Sequence, residues 1–345
     1  MHTDAGAPAF GQMRILISLF ALFALGSADD KLPKPSHAKA VAPKFGIKTP
    51  GIQIPFANLK PEAELDTGAK PDWVFFSGSA FAPGKDSISR IDPKTNKPAD
   101  PINGVTKPCG GMASAFDSLW APACGNSTLV RIDAKTYQLT KALATGVANV
   151  PGVIAATTDS VWLLTDDKTT LARIDPDQNV VVAEIRVPAG CRGLTFGETA
   201  LWLACPAENK VLRINPATNL VDKSIEVSAE PVALAAGAGS IWVLSRKEGK
   251  IDRIDPKTNK VSKTIELGVP GAEGELAFGE GFLWVTEAGF PLTRIDVATE
   301  TVAQQFYGQG GGAIAVSPGA IWLANAAAGT VWRIDPKRVM VTLPD

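Results

Sequence analysis

The chain has 345 residues, 45% of them hydrophobic, with 34 basic against 35 acidic side chains and a pI near 6.2. That balance leaves no basic face to neutralise phosphates, which argues against a nucleic-acid partner. Length and apolar content suffice for one large core, and no apolar run is long enough to span a bilayer.

The chain opens on a basic Met13-Arg14, followed by the apolar run 15–25. Gly26-Ser27-Ala28 then supplies small residues before Asp29, the pattern of a secretory signal cleaved after Ala28. Residues 1–28 therefore read as leader and signal peptide, and the location as periplasmic or secreted. Residues 29–61 are rich in Pro and Lys and read as an extended linker, with the folded domain over 62–345. The only histidines are His2 and His37, in the leader and the linker. Without one in the domain, Ser–His–Asp and Cys–His catalysis are excluded.

From residue 90 onward a motif recurs. Arg-Ile-Asp, once Arg-Ile-Asn, begins at Arg90, Arg131, Arg173, Arg213, Arg253, Arg294 and Arg333, with spacings of 39 to 42 residues. A period near 40 built of short strands marks a β-propeller with one blade per repeat. The clearest copy, 231–267, shows four short runs separated by Gly, Pro, Asn and Asp, an antiparallel four-stranded sheet whose strands are labelled A to D outward from the axis. The fold expected is all-β: a seven-bladed propeller of four-stranded blades.

Trp120, Trp162, Trp202, Trp242, Trp284 and Trp322 stand near the start of strand B in six repeats, with Phe81 in that place in the first. A residue needed in every blade is scaffold, so these rings are expected to fill the wedges between sheets rather than stack on a ligand. The repeat Arg and Asp are expected to pair with each other, the Asp also bonding the C–D turn. Two segments, 62–66 and 339–343, both resemble a strand D, and either could complete the seventh blade and close the ring.

The four cysteines stand at matching offsets around two of the Trp residues, Cys109 and Cys124 around Trp120, Cys191 and Cys205 around Trp202. In an A–B hairpin those positions face each other, which predicts disulfides Cys109–Cys124 and Cys191–Cys205 in an oxidising compartment. Four Cys split between non-adjacent blades cannot build one zinc tetrahedron.

Departures from the repeat at the D–A and B–C loops, which ring the channel mouth, are the site candidates: Asp72, Trp73, Arg192, Glu230, Glu273, Glu275 and Gln309 in the first set, Asp166, Arg246, Glu287 and Asn325 in the second. Glu273 and Glu287 repeat the offsets of Cys191 and Cys205, so the two carboxylates are expected to face each other with Glu275 close by. Opposed like charges call for a cation, an Arg or a raised pKa. Oxygen ligands alone would suit Mg²⁺ or Ca²⁺ on Glu273, Glu275 and Glu287. Arg192 and Arg246 could pair with this cluster or hold a ligand carboxylate.

The run 258–268, Thr-Asn-Lys-Val-Ser-Lys-Thr-Ile-Glu-Leu-Gly, resembles the outer half of the YVTN-type repeat. The run 314–325 resembles its inner half and also the streptogramin B (virginiamycin B) lyase propellers; the likeness extends over nearly the whole chain from about residue 62. It implies a seven-bladed propeller and, for the lyases, Mg²⁺-assisted elimination that opens a cyclic depsipeptide, using carboxylates and His at the channel mouth. Leu-Trp-Val-Thr-Glu, 283–287, is similar to the strand end on which that family carries a functional Glu, which implies a role for Glu287; Glu273 stands where the family has a His.

The leading expectation is a monomeric, non-catalytic module that binds a small molecule or protein at the channel mouth through Asp72, Trp73, Arg192, Glu230, Arg246, Gln309 and Asn325, with no cofactor. The alternative is a Mg²⁺- or Ca²⁺-dependent lyase or lactone hydrolase, with Glu273 and Glu287 as candidate catalytic groups.

Overall fold

Each repeat carries two nearly continuous apolar runs, then an alternating run, then a polar one, and the structure turns each into one sheet. In blade five, Pro231–Gly237 and Ser240–Ser245 are the buried inner strands, Lys250–Asp255 alternates, and Lys260–Glu266 is largely exposed. This computed structural model describes residues 43–166 and 169–342; the signal segment, His2 and His37 lie outside them. Seven sheets form in chain order, their first strands being Phe75–Ser77, Ala113–Ala115, Ile154–Ala156, Arg192–Gly197, Pro231–Gly237, Gly274–Gly279 and Ile314–Ser317. The seventh of these lies beside the first, closing a seven-bladed all-β propeller.

The closing strand comes from the N-terminal side. Ala63–Asp66 pairs antiparallel with Thr330–Ile334 and completes blade seven. The rival segment forms a short helix instead, Pro336–Val341, because Asp335 caps it by accepting from the Lys337 amide and Pro336 suits its first turn. A further strand, Gln53–Pro55, within the stretch expected to be a linker, adds parallel to Thr301–Tyr307 at the outer edge of blade six. Buried Gln305 straps it down, accepting from the Ile47 amide at 2.8 Å and donating to the Leu267 carbonyl at 3.1 Å. Phe56 then stacks on Trp332.

The six recurring Trp residues and Phe81 are fully buried, each opposite its repeat Arg on strand C. Four of the indoles donate to a carbonyl of the A–B turn, as Trp202 does to Gly197 at 2.9 Å. The wedge-filling expectation is thus met.

The expectation for Arg is corrected. In five blades the guanidinium lies over the Trp ring of its own sheet, 5.5 Å away for Arg253 over Trp242, and in five it reaches the C–D turn of the next blade instead of its own Asp; Arg213 pairs with Asp222 of its own blade at 3.7 Å, and Arg294 lies over Phe282. Arg131 donates to Asn179 at 3.0 Å, Arg173 to Asn219 at 3.1 Å and Arg333 to Asn96 at 2.8 Å, while Arg90 sits 4.2 Å over Tyr137. Each acceptor or ring belongs to a residue with φ between 56° and 59°, the left-handed corner of its turn. The Asp stays home: in blade two, Asp133 accepts from the Lys135 and Thr136 amides, and those donors hold its carboxyl below the usual range. Asp92, Asp175, Asp255 and Asp296 repeat this, their turn amides lowering each carboxyl in the same way.

Candidate functional site

Both disulfides form as expected, Cys109–Cys124 and Cys191–Cys205, each joining the loop before strand A to the end of strand B. No free cysteine remains among the described residues. The clamped ends face the channel mouth, where the sequence-singled residues collect into three groups.

The first is a cavity of about 360 Å³ on the side of blades one to three and seven. Trp73, Phe75, Met112, Ile154 and Ile314 line it with apolar surface, and Asp72 and Glu275 are its charged members. Buried Trp73 is fixed by its indole N–H, which donates to the Pro108 carbonyl at 3.5 Å. Desolvation in the channel wall pushes the half-buried Glu275 up to about 7, with Arg192 pulling the other way and Asp72 adding to the rise. Asp72 is exposed by surface area, yet enough wall surrounds its carboxyl to raise its pKa as well. The loops 110–112 and 149–152 complete this wall. Sequence reasoning missed them because it sought charged or aromatic departures, and these loops carry neither. Their one visible sign was the turn dipeptides Gly110-Gly111 and Pro151-Gly152.

The second group is a chain of alternating charge across blades four to six. Arg192 Nη2 meets Glu273 Oε2 at 2.5 Å, Arg246 Nη1 meets the other oxygen of Glu273, and Arg246 Nε meets Glu230 Oε2 at 2.7 Å. Two guanidiniums face two carboxylates, so the chain neutralises itself. Of the two roles foreseen for Arg192 and Arg246, the geometry shows the pairing with the acidic cluster.

The third group surrounds Glu287. Its side chain is 3% exposed, and neither carboxyl oxygen has a hydrogen-bond partner. Burial pushes it up to about 8. It borders a cavity of about 320 Å³ between blades six and seven, walled by the glycine-rich loop 308–312, Thr286 and Gln309. Asn325 pins that loop by accepting from the Gly311 amide at 2.7 Å, and its own amide nitrogen is left without a partner.

Glu273 and Glu287 do not stand opposite one another. Strand pairing sets Gly274 against Glu287, and Glu273 lies one residue farther out, where its carbonyl accepts from the Ala288 amide. In blade four a register shift between Arg192 and Thr195 brings Cys191 opposite Cys205. Blade six pairs without that shift, and the slip carries its two carboxylates out of line. Glu273 and Glu287 still border one cavity, whereas Glu275 points into the other. Among the described residues no group of three His, Cys, Asp or Glu is placed to hold a metal ion. With Glu273 engaged by two guanidiniums, the residues present do not fit a Mg²⁺ or Ca²⁺ centre. Asp166 lines neither cavity.

Comparison with solved structures finds the same architecture elsewhere. A streptogramin B lyase superposes with a TM-score of 0.64 at 18% identity, over 84% of this chain and 96% of that one. The virginiamycin B lyase of Staphylococcus aureus gives 0.65 at 17%, over 79% and 98%. A chain of the mitotic checkpoint complex gives 0.69 at 13%, over 88% and 97%. No protein-family profile matches the sequence, and no curated protein matches it closely. At these identities the likeness is one of fold: the chain is a seven-bladed, lyase-like β-propeller.

Proposed function

We propose that this protein is a secreted or periplasmic, non-catalytic binding module that seats a small molecule in the channel mouth. The observation that carries the reading is the first cavity, where apolar side chains and polar groups share the wall about equally, with Trp73 and two carboxylates among them. Ligand sites likewise combine apolar surface with convergent polar groups that fix orientation. Two disulfides suit an oxidising compartment, and no helix among the described residues is long and apolar enough to cross a membrane. A thermal-shift screen of small molecules tests the reading. Hits should lose their effect in Trp73→Ala and Glu275→Gln; hits indifferent to both substitutions would place binding elsewhere and refute it.

A second reading, a lyase, is favoured by one observation. Glu275 and Glu287 titrate near neutrality, at about 7 and about 8, and so could exchange protons where a histidine ordinarily would. Incubation with a streptogramin B depsipeptide, followed by mass spectrometry for ring opening, decides it. Turnover abolished by Glu287→Gln would establish the lyase, and an intact ring would dismiss it.

A further inference from the structure

Glu287 is costly as it stands. A carboxyl group on a residue only 3% exposed, with no donor for either oxygen, forfeits its water without replacement. Nothing in the scaffold asks for it. The equivalent strand-B ends are occupied by Ser245 in blade five and Asn325 in blade seven, and those blades form the same four strands. The neighbouring carboxylate, Glu273, already has two guanidiniums, and no Lys or Arg of this chain lies within ion-pair distance of Glu287 among the described residues.

What the cavity lacks is therefore a donor. Its volume of about 320 Å³ corresponds to roughly ten water volumes, enough for a short organic chain. Glu287 adjoins it, with both carboxyl oxygens unpaired and drawn back from its surface, and its wall is the backbone of Gly308–Gly312 with Gln309 and Ala327 at the side. Gly310 and Gly311, with φ of 115° and 79°, hold a conformation that side chains rarely adopt, and a Cβ on them would run into Asn325 and Pro291 respectively. A divalent ion would need several oxygen ligands and finds a single free carboxylate. A primary ammonium needs less: one counter-charge and acceptors for its three N–H groups.

We propose that the cavity between blades six and seven is an ammonium-binding subsite, in which Glu287 receives the primary amine of a ligand whose remaining atoms lie against the glycine loop. This rests on the channel-mouth binding reading and specifies the chemical class of what enters beside Glu287. The amine would supply the hydrogen bonds that the Glu287 oxygens lack, and a neutral or anionic head group of the same size would not match both charge and donor count.

The test uses the intact folded protein and three isosteric probes, n-butylamine, butyramide and butyrate, titrated by calorimetry at pH 9, where Glu287 is ionised and the amine is still protonated, with Ca²⁺ and Mg²⁺ as separate arms. Butylamine is expected to bind at least tenfold more tightly than butyramide, and butyrate not at all. Glu287→Gln should abolish this preference while keeping the wild-type circular dichroism spectrum. Glu226→Gln, on the exposed outer strand of blade four and lining neither cavity, should leave it unchanged, and the first-cavity reading is judged separately by its own small-molecule hits, so loss of that reading and loss of this one are separable. Equal binding of amine and amide, amine binding that survives Glu287→Gln, no amine binding up to 20 mM (about 2 kcal/mol of affinity), or binding of Ca²⁺ or Mg²⁺ in preference to the amine would each overturn the proposal. Should Glu287→Gln misfold, Glu287→Asp serves in its place: the shortened acid should weaken the amine about tenfold and leave amide binding unaltered.

Discussion

Arg253 of blade five reaches across the groove to Glu300 of blade six, Nη1 to Oε1, at 2.6 Å. Its Nε simultaneously holds Ser240 of its own strand B at 2.8 Å, so a single guanidinium ties two sheets together. Both side chains are partly covered, which keeps the bond from being fully screened. Glu300→Ala is expected to cost about 1 to 2 kcal/mol in urea unfolding. A double-mutant cycle with Arg253→Met should return a coupling energy near half of that or more. Strict additivity would show that the contact contributes nothing.

Glu287 and Glu275 set a pH dependence of definite sign. Both are raised in the folded protein, to about 8 and about 7, above the ordinary value of 4.5. Between those limits the native state holds protons that the unfolded chain releases, so stability is full below about pH 4.5 and declines as pH rises toward 8. The slope from each group is at most about 1.4 kcal/mol per pH unit. Glu287→Gln should flatten the curve between pH 5 and 8 and gain most over wild type above pH 8. Parallel curves for the two proteins would contradict the burial of this group.

How far the sequence reveals these arrangements depends on what a side chain must do. The Trp residues and the two Cys pairs were legible because a fixed offset within a repeat fixes a place in a blade, and burial or cross-linking there is local. The Glu273–Glu287 relationship was not, since it hangs on a register shift at Arg192–Thr195 that blade four has and blade six lacks. Spacing alone is blind to such a slip. Closure was ambiguous for a different reason: 62–66 and 339–343 carry the same pattern, and the preference comes from Asp335-Pro336 starting a helix. Gln53–Pro55 was missed because a three-residue strand, held by parallel pairing to Gln305, Phe306 and Tyr307 far along the chain, carries no periodic signal.

Gly274, opposite Glu287, admits no side chain. A Cβ there would run into the Thr286 carbonyl oxygen and press on Glu287 Cγ at 3.2 Å. Gly274→Ala is expected to destabilise the protein by about 1 to 3 kcal/mol. It should also weaken any ligand that reaches Glu287, measured by calorimetry alongside the unfolding curve. An unchanged melting temperature would mean that the hairpin yields without cost.

The two disulfides should respond differently to reductant. They close loops of similar length, with sequence separations of 15 and 14, so each is expected to contribute about 3 kcal/mol. Cys191 and Cys205 are both buried to 99% or more, whereas Cys124 is only half-buried. Timed reduction with alkylation and mass spectrometry should label Cys109 and Cys124 first. Simultaneous labelling would indicate that global unfolding governs both.

The strand that completes blade seven, Ala63–Asp66, meets a partner about 265 residues later, and Gln53–Pro55 waits almost as long for blade six. Emerging from the ribosome early, these segments have nowhere to dock until nearly the entire polypeptide exists. A chain cut short before its last repeat would still seat Gln53–Pro55 on blade six, but Ala63–Asp66 would lack its partner and the open ring would be exposed to the hazards of unpaired sheet edges. Completion of the ring thus doubles as a proof-reading step: only a chain that carries the seventh repeat can shut it.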